Sequence, residues 1–94
     1  MPTQYELVLQ FPLPPRDVAQ FDRVTRLEEE LAKPSMLFEF DGYDCTAGRI
    51  EVRLFTDDPP RSLEIVRGLI PPCCGYRAGY RPADSQEALT ALAV

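Results

Sequence analysis

The densest gathering of reactive side chains lies in "LIPPCCGYRAGYRP", Leu69 to Pro82: two adjacent thiols, two phenols and two guanidiniums, in a chain with no histidine and no tryptophan. Adjacent cysteines suggest metal or redox chemistry. Zinc, however, draws on about four converging ligands, usually from C-x2-C pairs or histidines, and redox pairs favour C-x-x-C. Neither spacing occurs, and Cys45 is the only other cysteine. On a strand Cys73 and Cys74 point to opposite faces, so Cys74 reads as a core thiol and Cys73 as a half-exposed one. Three cysteines, two of them neighbours, suit free thiols and a reducing compartment. Tyr76 and Tyr80 interleave with Arg77 and Arg81 as in a base-stacking platform, but strand alternation separates them, tyrosines inward and arginines outward.

The carboxylates are no more specific. Asp41 and Asp44 crowd "DGYDCTAG", which reads as an acidic hairpin loop; the calcium pattern D-x-D-x-D-G is absent, and two acids seldom complete a site. Asp57 and Asp58 suit a turn and a helix N-cap. Glu28 falls beside the apolar arc of a helix and reads as a residue at the core rim. Acid–base catalysis without histidine needs a pair of tuned carboxylates or an activated cysteine, and no spacing points to one. No catalytic residue, metal ligand or cofactor is therefore expected.

The elements that must position these groups follow from periodicity. "YELVLQF" alternates, with Tyr5, Leu7, Leu9 and Phe11 on one side and Glu6, Val8 and Gln10 on the other. Asp17 can cap a helix that gathers Phe21, Val24, Leu27 and Leu31 in one arc and ends at Pro34. "MLFEF" and "RIEVRLF" read as a hairpin whose second strand sends Ile50, Val52 and Leu54 to the core and Arg49, Glu51 and Arg53 to the opposite face. A second helix opens at Asp58–Pro59 and collects Leu63, Ile65, Val66, Leu69 and Ile70. The "CCGYRAGYRP" stretch supplies a fourth strand, an edge strand by its glycines and proline, and "ADSQEALTALAV" a short C-terminal helix.

The order β-α-β-β-α-β predicts one α+β domain over residues 1–94, a ferredoxin-like two-layer sandwich with a four-stranded sheet, two helices on one face and the other face open. Size and strand order are similar to the acylphosphatase family, whose phosphate loop follows the first strand and whose catalysis uses an arginine and an asparagine. Here that loop is "PLPPRD" and the chain has no asparagine, so the activity is not carried over.

With 45% hydrophobic and 27% charged residues, the 94-residue chain has a globular composition. A net charge of −5 opposes nonspecific binding to nucleic acid. No apolar run spans a bilayer and the first residues lack a secretion signal, which predicts a cytoplasmic protein without membrane attachment. Arginine-rich, asparagine-free usage suggests a GC-rich bacterial source. The expected function is a non-enzymatic protein-interaction module, binding a protein partner or itself as a homodimer through the open face or an edge strand. Its expected surface is Val8, Leu37, Glu39, Arg53, Phe55, Arg77 and Arg81. An acidic inhibitor of a basic partner and a small-ligand sensor are the alternatives. Between Glu39 and Asp58 lie six acids against Arg49 and Arg53, which concentrates negative charge around the hairpin.

Overall fold

The computed structural model of the chain describes residues 4–12, 18–33, 38–46, 48–70, 75–84 and 88–92, with backbone alone for 18–21 and 45–46. Alternation in the first stretch yields β1 (Tyr5–Pro12), followed by α1 (Val18–Leu31). Val24, Leu27 and Leu31 of α1 are buried while Asp22, Arg23, Arg26 and Glu29 are exposed, as a 3.6-residue period requires. Next come β2 (Phe38–Thr46) and β3 (Arg49–Thr56); just before β3, Gly48 has φ 78°, a left-handed conformation that favours glycine. Asp58 caps α2 (Pro59–Arg67) by accepting a hydrogen bond from the Arg61 amide at 3.3 Å. After it lie β4 (Arg77–Pro82) and β5 (Thr90–Leu92).

These strands form one sheet in the order β2-β3-β1-β4-β5, with every neighbouring pair antiparallel. The four-stranded ferredoxin-like sandwich is thereby corrected. The sheet has five strands, β4 is internal, and the tail expected to be a short helix contributes the fifth strand. A helix of so few residues has little intrinsic stability, whereas Thr90–Leu92 satisfies backbone groups that β4 would otherwise leave open.

The core lies on one face, where Leu7, Leu9 and Phe11 of β1 and Ile50, Val52 and Leu54 of β3 meet Val24, Leu27 and Leu31 of α1 and Leu63 and Val66 of α2. Tyr76 stacks on Phe11 at a centroid distance of 5.6 Å and packs against this cluster. A buried hydroxyl pair, Thr56 Oγ1 and Ser62 Oγ at 2.6 Å, ties the end of β3 to α2, and Thr56 Oγ1 also accepts from the Asp58 amide at 3.0 Å. A further expectation for α2 fails: Ile65, and Leu69 just beyond the helix, are exposed, because its buried side follows Leu63 and Val66 and continues to Ile70 after the helix ends.

Candidate binding surface

Of the expected surface residues, Val8, Arg53, Phe55, Arg77 and Arg81 come together on the helix-free face of the sheet, with Glu39 at its β2 margin. Registers place Glu6 between Phe55 and Arg81, Val8 between Arg53 and Gly79, and Gln10 between Glu51 and Arg77. Leu37 lies outside the described residues, as do Cys73, Cys74 and the proposed cap Asp17. Arg77 is exposed and Phe55 half-buried.

Val8 is not available as an apolar contact. It is only 2% exposed, which corrects its expected role. It lies on the face away from the described helices; Arg53 is in register beside it, and Leu89 lies over Gly79 on its other flank. Long amphipathic stems commonly cover apolar groups while keeping their charge in water.

The charged groups around Val8 are internally paired. Arg53 hydrogen-bonds the Asp44 carboxylate and lies 3.6 Å from Asp41, while Arg81 donates to Glu6 at 3.4 Å. On the next row, Gln10 donates to Glu51 at 3.2 Å and Arg49 approaches the same carboxylate at 3.1 Å. The hydrogen bond that Arg53 donates to Asp44 raises its pKa above the ordinary value, against a smaller desolvation effect, so this cation stays charged at any ordinary pH. The Nε atoms of both Arg53 and Arg81 are buried without a hydrogen-bond partner among the described residues; Asp41 is close enough to Arg53 Nε for attraction but not for a bond.

Asp41 and Asp44 belong to a strand, not to the acidic loop expected of them. β2 runs through Thr46, and the register shift between Phe40 and Gly42 makes Asp41 the extra residue of a bulge. Gly42, at φ 149°, accommodates the bend and leaves an Arg53 terminal nitrogen 4.0 Å from where a Cβ would stand. The bulge therefore brings Asp41 and Asp44 to the same guanidinium. It was hidden in the sequence because "FEFDGYDC" suggests a strand broken at Asp41–Gly42; that dipeptide was the available signal.

β2 is also an outer strand of the sheet, nine residues long. It exposes Glu39, Asp41 and Asp44, and its Tyr43 is 48% exposed. The opposite edge is the three-residue β5. At the hairpin end of the sheet is a cavity of about 500 Å³ lined by Gln10, Phe11, Gly48, Arg49, Tyr76 and Arg77. Among the described residues no cluster of histidine, cysteine and carboxylate side chains could hold a metal ion, and no helix is long and apolar enough to cross a membrane. No family model, curated protein or solved structure matches the chain.

Proposed function

We propose that this chain is a small non-enzymatic protein-interaction module whose docking element is β2, which adds an extended, basic segment of a partner protein to the sheet. The observation that carries this reading is that one long outer strand bears Glu39, Asp41, Asp44 and the exposed Tyr43, with no cation on the strand itself. An edge strand offers main-chain donors and acceptors for pairing, and its side chains select the partner. Two copies pairing at this edge would bring like charges together, which is destabilising; a lysine- or arginine-bearing strand would not. The expectation of a protein partner and that of an acidic protein covering a basic one thus converge on one element.

Titration of the ¹⁵N-labelled protein with a synthetic peptide of alternating lysine and valine tests it. Amide shifts should concentrate in Phe38–Thr46, shrink as salt is raised and disappear in an Asp41→Lys, Asp44→Lys variant that remains folded. Shifts centred on β5 or α2, or none at millimolar peptide, would overturn the assignment.

A small-ligand reading is favoured by a separate observation, the cavity beside Arg49 and Arg77. Arg77 makes no ion pair with another described residue, and Tyr76 offers a half-exposed ring next to it. A planar anion would meet a guanidinium and an aromatic face there. Stabilisation in a thermal-shift screen of aromatic carboxylates, absent in Arg77→Glu, would favour this reading over strand docking.

A further inference from the structure

The edge of β4 is closed by only three residues, paired as Ala78 with Leu92, Gly79 with Ala91 and Tyr80 with Thr90. Thr90 and Ala91 are exposed, and of the strand's three residues only Leu92, half-buried, packs against the core. One position of β4 beneath it leaves no room for a side chain. A Cβ on Gly79 would stand 2.9 Å from the Leu89 Cβ and 3.1 Å from the Thr90 carbonyl oxygen, distances at which side chain and strand backbone must both move. Gly79 has no positive φ that would call for glycine on conformational grounds. Its missing side chain is a socket, in which Leu89 sits beside the buried Val8.

We propose that this socket and the β4 edge form a second strand-docking site, occupied within one molecule by its own residues Leu89–Leu92 and open to the same residues of a second copy. Every contact made in cis is available in trans, because the docking strand and the socket are both carried by each chain; exchange of identical elements is a low-cost route to a dimer. The occupant is argued from the segment already seated there, whose leucine fits a hole that any larger residue at position 79 would fill. This site is on the opposite edge from β2 and does not rest on the function proposed for that strand.

Two full-length variants test it by complementation. Leu89→Asp keeps the socket and spoils the strand that fills it; Gly79→Ala fills the socket and keeps the strand. Each alone should remain monomeric, with a mass near the 10.6 kDa of one chain. Mixed in equal amounts, they should form a 1:1 heterodimer by native mass spectrometry and light scattering, unaffected by Asp41→Lys in either partner. A mixture that stays monomeric while both variants show native circular dichroism would overturn the proposal. If Gly79→Ala does not fold, a synthetic peptide of residues 88–94 added to Leu89→Asp replaces it. Saturable amide shifts at Ala78, Gly79 and Tyr80 are then expected, and their absence at millimolar peptide would refute it.

Discussion

Arg53 and Leu54 are consecutive on β3 and point to opposite faces, so substituting each isolates what its face contributes. Leu54 is fully buried, in register with Leu7 on one side and Phe40 on the other. Leu54→Ala leaves a cavity between three strands and should cost about 2–5 kcal/mol. By its place on the open face alone, Arg53→Ala would cost under about 1 kcal/mol, as exposed ion pairs do. The structure raises that figure. Removing Arg53 leaves Asp41 and Asp44 without their cation and withdraws a stem from beside Val8, where each re-exposed methylene is worth about 0.8 kcal/mol. A total of roughly 1–2 kcal/mol follows, part electrostatic and part apolar. Arg53→Met separates the two, since it keeps an apolar stem and loses the charge, and should recover about half the loss. Urea denaturation at low and high salt reads all three variants. If Arg53→Ala costs less than a few tenths of a kcal/mol, or Arg53→Met is no better than Arg53→Ala, the idea that this arginine covers Val8 is wrong.

Ser62→Ala should destabilise the fold by about 1–3 kcal/mol, because it leaves the buried Thr56 hydroxyl with one partner fewer; calorimetry should register this as a lower Tm. Asp58→Ala, which removes the α2 cap, should cost about 1 kcal/mol and Asp58→Asn much less, as read from denaturation midpoints. Burial pushes the Glu28 carboxyl up from 4.5 to about 7. The folded chain therefore holds this proton more tightly than the unfolded one, so its contribution is fully present below pH 4.5 and is lost as pH rises through 7. Because Glu28 is partly exposed, solvent screening limits the effect to about 1 kcal/mol. Glu28→Gln should be more stable than wild type at pH 8 by up to that amount and show no advantage at pH 4; an equal difference at both pH values would contradict this origin.

Local patterns in the amino-acid sequence determined the facing of "RIEVRLF" and "YELVLQF", the buried arc of Val24, Leu27 and Leu31, and the Asp58 cap. Each depends on spacing within one element, where backbone geometry alone assigns a side. The candidate surface was only partly legible: alternation sends Glu39, Arg53, Arg77 and Arg81 away from the core, but cannot show that Arg53 is shared by two aspartates. That depends on the bulge at Asp41, which shifts the β2 register against β3. Tertiary structure alone decided the rest. Val8 is buried although it lies on the face away from the described helices, and Leu89 comes to rest on Gly79 ten positions away. Thr90–Leu92 forms a strand where β4 presents an edge to it; the apolar spacing of the tail suits a helix as well. When a segment is too short to stabilise either state by itself, the backbone groups left open by a distant strand determine which one forms.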